Sequence, residues 1–176
     1  MVEVTFTPNA DDYVAVQRAI FARQLRSPRF FGRMAGLLVF AFVAGMAAVL
    51  VLNGDITMEG VAAIATGAAG GLAMVTIIVG GTWLLLPRRA RRLFAQQRSL
   101  HHEQRITLTS DGFRLGNARA DAFYPWDELP GWQMSPEVLL IFSNDLIAYY
   151  LPNRVLTDDQ RAQAVTILTE AGVPRR

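Results

Sequence analysis

From Met34 to Leu52 the chain reads MAGLLVFAFVAGMAAVLVL, 19 residues without a charge. At about 1.5 Å of helical rise per residue this stretch covers about 28 Å, the thickness of the hydrocarbon core of a bilayer. A second run without an ionisable group, VAAIATGAAGGLAMVTIIVGGTWLLL, extends from Val61 to Leu86 and is long enough to span with tilt. Only Asn53-Gly54-Asp55-Ile56-Thr57-Met58-Glu59-Gly60 separates the two, so short a connection that the helices must be antiparallel neighbours. Helices in the core of a soluble protein keep a polar face, and these have none apart from Thr66, Thr76 and Thr82. The pattern predicts a transmembrane hairpin over residues 28–86, with spans at about 34–52 and 61–86. A cleaved signal peptide fits poorly, because folded-looking sequence precedes the first run and a second span follows it.

Arginine placement orients the hairpin. Arg18, Arg23, Arg26, Arg29 and Arg33 precede the first span, and Arg88, Arg89, Arg91, Arg92 and Arg98 follow the second. The connecting loop has no Arg and carries Asp55 and Glu59. Positive charge is retained on the cytoplasmic side, which predicts a multi-pass protein of the cell (inner) membrane with both termini cytoplasmic. Phe30, Phe31 and Trp83 fall near the inner ends of the spans, where aromatic rings favour the headgroup layer. No Asp, Glu, Lys, Arg or His lies within either span, which argues against ion or proton transport through a single copy.

Ala63, Gly67 and Gly71 form a ridge of small residues at four-residue spacing, along which another helix backbone can approach. The partner is either the first span, around Ala44, Gly45 and Ala48, or a second copy of the chain.

The remainder of the 176 residues is enough for one small domain. With 17 basic residues, all Arg, against 15 acidic, the net charge of +2 is too small for a strongly basic nucleic-acid binder. The lack of cysteine excludes disulfides, thiolate metal sites and cysteine nucleophiles. Val2, Val4 and Phe6 alternate with Glu3, Thr5 and Thr7 as in a half-buried strand, and residues 10–25 read as a helix with Tyr13, Val14, Val16, Ile20 and Phe21 on one face. Ser27 caps the next helix, with Pro28 in its first turn. An Arg-rich juxtamembrane segment over 87–103 starts with a short helix from Pro87. Strands follow at Gln104 to Thr109, Phe113 to Leu115, Asp121 to Trp126, Gly131 to Ser135, Val138 to Phe142 and Leu146 to Leu151, with turns at Ser110-Asp111-Gly112, Ser135-Pro136-Glu137 and Ser143-Asn144-Asp145. A last helix starts at the capping box Thr157…Gln160, shows an apolar stripe of Ala164, Val165, Leu168 and Ala171, and stops at Gly172.

A lone strand is unstable in water, so Val2–Thr7 is expected to pair with the sheet formed after the hairpin. The fold class is then a membrane protein of the α+β type: a strand and helix over 1–27, the hairpin inserted at 28–86, the juxtamembrane segment at 87–103, and a sheet domain over 104–176 with about seven strands in all and a terminal helix.

The order of elements, with Ser27-Pro28 before the first span, Ile106-Thr107-Leu108-Thr109-Ser110-Asp111-Gly112-Phe113, Tyr124-Pro125-Trp126-Asp127-Glu128-Leu129 and Tyr149-Tyr150-Leu151-Pro152-Asn153-Arg154-Val155-Leu156, resembles the YcxB-like bacterial membrane proteins. That resemblance implies a pleckstrin-homology-like C-terminal domain, a seven-strand barrel-like sandwich closed by the final helix. It implies no established activity and no catalytic residues.

No reaction chemistry emerges from the residues. His101-His102-Glu103 holds the only two histidines, and neighbours on a helix diverge, so a metal site would need ligands from elsewhere. Asp127 and Glu128 read as a turn in which one carboxylate caps a backbone amide, rather than as a catalytic pair. Trp126, Trp132, Tyr149 and Tyr150 are contact candidates that read better as core. The expectation is a non-enzymatic interaction or regulatory module at the cytoplasmic face, without catalytic, metal or cofactor residues. Arg29, Arg33, Arg88, Arg89, Arg91 and Arg92 are its candidate lipid-headgroup contacts. Its expected partners are membrane lipid, an unidentified protein and a second copy of the chain, and not nucleic acid. The alternative is a subunit of a small homo-oligomeric transporter or channel.

Overall fold

The computed structural model describes residues 1–53, 57–117, 119–144 and 147–176, with backbone only at 52, 53, 98 and 99. The chain forms two units, Met1–Ala19 with Pro87–Arg176 and the intervening Ile20–Leu86.

Among the described residues the first unit holds seven strands in two antiparallel sheets, β1 (Val2–Phe6), β2 (Gln104–Leu108), β3 (Gly112–Asn117) and β4 (Asp121–Pro125) in one, and β5 (Gly131–Met134), β6 (Val138–Phe142) and β7 (Ala148–Pro152) in the other. Strand β1 pairs with β2 across the whole hairpin insertion, Val2 opposite Leu108 and Phe6 opposite Gln104. The alternation of β1 explains its place, since Val2, Val4 and Phe6 point into the core while Glu3 and Thr5 stay in water. Inward residues of both sheets meet in one cluster with Ile106, Leu108, Phe113, Leu139, Ile141 and Leu151. Helix α4 (Asp158–Glu170) adds Ala164, Ile167 and Leu168 to it. Ile167 was not in the expected stripe, and Val165 and Ala171 only flank the core.

The local signals behave as their chemistry requires. Thr157 and Gln160 form a reciprocal capping box at the start of α4, and Gly172, at φ 71°, ends it. The β2–β3 turn closes with Thr109 N–H donating to Gly112 O at 3.0 Å. Trp126 leaves the expected strand and opens a 3-10 turn with Asp127 and Glu128, entered from Pro125, which makes no side-chain cap bond. The Trp126 indole donates to Thr109 O at 3.1 Å. Ser135 likewise lies past the end of β5, where its hydroxyl and Val138 bridge the turn. The expected Leu146 start of β7 and Asp145 in the preceding turn lie outside the described residues.

Helix α1 spans Ala10–Arg26, α2 Pro28–Asn53 and α3 Met58–Gln96. The short helix expected from Pro87 is not a separate element, because α3 runs through Pro87 to Gln96. A proline removes one hydrogen bond and crowds the preceding turn, at about 3 kcal/mol, and the unbroken helix of good formers on either side absorbs that local penalty. Residues 54–56 of the expected loop, Asp55 included, lie outside the described residues.

In the second unit α2 and α3 are both long and apolar enough to cross a membrane. Their close approach is at Gly45, where an added Cβ would meet Ile64 at 3.2 Å, and at Gly60, where it would meet Val49 at 2.6 Å. At Gly67 and Gly71 it would meet nothing within 4 Å, and Ala63 is exposed. The small-residue ridge is therefore not the seam of the hairpin. The seam instead follows Ile64, Ala68 and Val75, a different stripe of the same helix. Phe21 and Trp83 pack at 5.9 Å between ring centroids.

Candidate functional site

The first helical turn of α1 carries a side chain that the sequence reading passed over. Asn9 and Asp12 cap each other's backbone, Asp12 N–H donating to Asn9 Oδ1 at 2.8 Å and Asn9 N–H to Asp12 Oδ2 at 2.9 Å. This reciprocal cap turns the Asp12 carboxylate inward, and Arg154 meets it with a two-pronged bond, Nε to Oδ1 at 2.8 Å and Nη2 to Oδ2 at 2.7 Å. Arg154 Nη2 also donates to Thr7 O at 3.0 Å. The Asp12 side chain is buried and that of Arg154 half-exposed, so the pair sits where charge-assisted bonds are strong and water still solvates the cation. Bonding to Asp12 holds the Arg154 guanidinium above its usual range. The nearby Tyr150 phenol is pushed up, first by burial and then by the Asp12 carboxylate.

Beside this pair opens a cleft of about 460 Å³, lined by Asp11, Val14, Arg18, Pro87, Arg91, Pro136, Glu137, Asn153 and Arg154 among others. Asn153 is 7% exposed. Its Nδ2 donates to Ser135 O at 2.8 Å and to Pro136 O at 3.0 Å, which fixes the amide and leaves Oδ1 buried without a partner. At the rim Arg91 Nη2 meets Asp11 Oδ1 at 2.9 Å, with side chains 63% and 78% exposed.

A second, larger hollow of about 720 Å³ lies on the outer face of the first sheet, lined by Glu3, His102, Glu103, Arg105, Thr107, Arg114, Gly116, Asn117 and Asp121. Its charges pair off across the strands, Arg105 with Glu3 at 3.6 Å and Arg114 with Asp121 at 3.1 Å. That is the ordinary condition of a solvated sheet face.

Of the expected lipid contacts, Arg88, Arg89, Arg91 and Arg92 occupy the exposed surface of α3 after Pro87, and Arg29 and Arg33 the exposed start of α2 in the other unit. Trp126 and Trp132 are buried, the latter's indole donating to Val173 O at 3.0 Å, so neither offers a contact surface. Tyr149 and Tyr150 are half-buried. Tyr149 packs with tilted rings against Phe113 and Tyr124, and its phenol is pushed up to about 12, mainly by burial and then by its bond with Tyr124. His101 bonds the Phe94 carbonyl at 3.1 Å near the end of α3. Among the described residues no group of three or more His, Asp or Glu could hold a metal. The Asn9-x-x-Asp12 spacing was the one sequence signal for the buried carboxylate, and nothing in the sequence marked Arg154 as its partner.

Residues 108–168 match the family model described as YcxB-like protein, a stretch that runs from the end of β2 into α4. Three of the quoted resemblances fall wholly or partly inside it, those around Ser110-Asp111-Gly112, Trp126 and Asn153-Arg154, whereas β1 and both apolar helices fall outside. No curated protein and no solved structure matches the chain.

Proposed function

We propose that the protein is a membrane-anchored, non-enzymatic interaction module, in which α2 and α3 cross the inner membrane as a hairpin and present a pleckstrin-homology-like sandwich on the cytoplasmic side. The observation that carries this reading is the exposure of the two helices: in each, the most apolar window has none of its residues buried within the protein. Core helices of a soluble domain bury that face, and here only lipid would cover it. Pairing of β1 with β2 supports the rest, since a domain whose own strands lie on either side of the insertion has both ends of the hairpin on one side of the bilayer. Arg29, Arg33, Arg88, Arg89, Arg91 and Arg92 would then lie at the level of anionic headgroups, each contributing about 1 kcal/mol of attraction.

The chain has no cysteine, so a single Thr57→Cys reports topology cleanly. The expected result is that the protein resists carbonate extraction and that an impermeant maleimide labels residue 57 from the periplasmic side only. Extraction into the soluble fraction, or labelling from the cytoplasm alone, overturns the reading.

A second reading, a subunit of a small homo-oligomeric transporter or channel, is favoured by one observation, the ridge of Ala63, Gly67 and Gly71 that α2 does not use. Crosslinking in native membranes that is abolished by Gly67→Leu supports it. A strict monomer indifferent to that substitution removes it.

A further inference from the structure

We propose that the outer edge of β5 is a strand-addition site for an extended segment of a partner protein that carries two consecutive arginines, and that Pro174–Arg176 is its resident occupant; this rests on the interaction-module reading above, though not on its membrane anchor. One side of β5 is paired with β6, Trp132 opposite Ile141. On the other side the main chain of Trp132 bonds the segment that follows α4. Trp132 N–H donates to Pro174 O at 2.9 Å, and Arg176 N–H donates to Trp132 O at 2.8 Å, a parallel bridge that sets Trp132 beside Arg175. Gly131 admits this neighbour. At φ 153° it holds a backbone conformation that side chains avoid, and an added Cβ would stand 2.7 Å from both Pro174 O and Arg176 Cγ. Only glycine lets a further chain lie this close to β5.

The side chains of the resident segment state what the edge selects. The Arg175 guanidinium lies 5.4 Å from the centre of the Trp132 ring and that of Arg176 6.0 Å from the Phe142 ring, while Arg176 Nε donates to Pro130 O at 2.8 Å. A planar guanidinium can lie over a ring and donate from its edge at once, which the compact ammonium of a lysine cannot. The root of the segment is fixed. Val173 is buried, its N–H donates to Leu168 O at 3.1 Å, and its carbonyl accepts the Trp132 indole N–H at 3.0 Å. Beyond it Pro174, Arg175 and Arg176 are all exposed and supply a single rung to a four-residue strand. So short a contact opens before the fold does. Part of what encloses Trp132 is this segment, and lifting it uncovers the ring face together with the main-chain N–H and C=O. A longer arginine-bearing segment in the same direction runs on toward Met134 and gains main-chain bonds that three residues cannot make.

The test uses the full chain in detergent and two fluorescein-labelled peptides followed by fluorescence anisotropy: VPRRVT, which prolongs the resident residues 173–176, and its charge-reversed form VPEEVT. Substituting Arg175→Ala together with Arg176→Ala loosens the resident segment at exposed positions and should raise the affinity for VPRRVT about tenfold. VPEEVT should bind about tenfold less tightly than VPRRVT. Arg105→Ala with Arg114→Ala removes the same charge from the outer face of the other sheet and should raise nothing. A benzophenone in place of the valine that follows the arginines should crosslink to residues 131–134, read by mass spectrometry. Equal affinity of the loosened and unaltered chains for VPRRVT, equal binding of the two peptides, or crosslinks confined to other elements overturns the proposal. Dimers of the unaltered chain that VPRRVT dissolves also overturn it, and assign the edge to exchange of Pro174–Arg176 between two copies. Carbonate extraction tests the anchor separately: a chain that leaves the membrane yet binds the peptide overturns the anchor alone.

Discussion

The two units of this protein spend the same amino acids in opposite ways. In the first, Leu108, Phe113, Leu139 and Leu168 are wholly enclosed, and the strand alternation keeps Glu3, Thr5 and Arg105 in water. In the second, Val51 is 81% exposed, Leu84 76% and Phe40 71%. Both follow from removing apolar surface from water, but the first unit does this with its own chain and the second leaves it to whatever surrounds it. Cohesion therefore resides in the sandwich, and the hairpin keeps only a narrow seam between its helices.

That contrast breaks most readily at the core. Leu168→Ala should cost the first unit about 3 kcal/mol in a thermal melt followed by circular dichroism, whereas Ile77→Ala, at an exposed position, should leave that melt in place. An equal loss for the two would mean that the Ile77 side chain contributes to the core. The next effect concerns the tie between α1 and the domain. Asp12→Ala strands Arg154 and should destabilise by about 2 kcal/mol in chemical denaturation, against less than about 0.5 kcal/mol for Asp11→Ala, whose pair is exposed.

Within the hairpin, Gly45→Leu should force α2 and α3 apart, at about 1–3 kcal/mol, and widen the distance between spin labels at Val39 and Leu72. Gly67→Leu should leave that distance unchanged, because open space faces it. The smallest effect is alkaline. The folded Tyr149 holds its proton to about 12 against 10.0 unfolded, so the stability it contributes is complete below pH 10 and is lost as pH rises from there to about 12. Tyr149→Phe should flatten that part of the stability profile, with the remaining slope due to Tyr150 and its raised phenol.

Elements with a short-range cause were legible in the sequence. The capping box at Thr157 and Gln160, the Ser110-Asp111-Gly112 turn and the unbroken Val138–Phe142 strand each depend on residues a few positions apart, and each is where its pattern put it. Pairing of β1 with β2 was also foreseen, because an isolated amphipathic strand has to find an edge. The errors share a cause as well. Pro87 was read by its local preference and continues a helix that its neighbours sustain; Trp126 was read by alternation and instead follows its indole to Thr109 O. The Ala63, Gly67, Gly71 ridge was read with two partners open, the first span or a second copy, and open space at Gly67 and Gly71 removes the first, because spacing names several equivalent stripes on a helix and the partner's side chains choose among them.

The sequence by itself determined that two long charge-free runs, helical in period, interrupt a small domain of alternating strands, because periodicity and hydropathy are properties of neighbouring residues. Only the tertiary structure decided that Asp12 would be buried against Arg154 and that Asn153 Oδ1 would be enclosed without a partner. Those facts depend on segments more than a hundred residues apart meeting at one place, and no local pattern encodes which of them will meet.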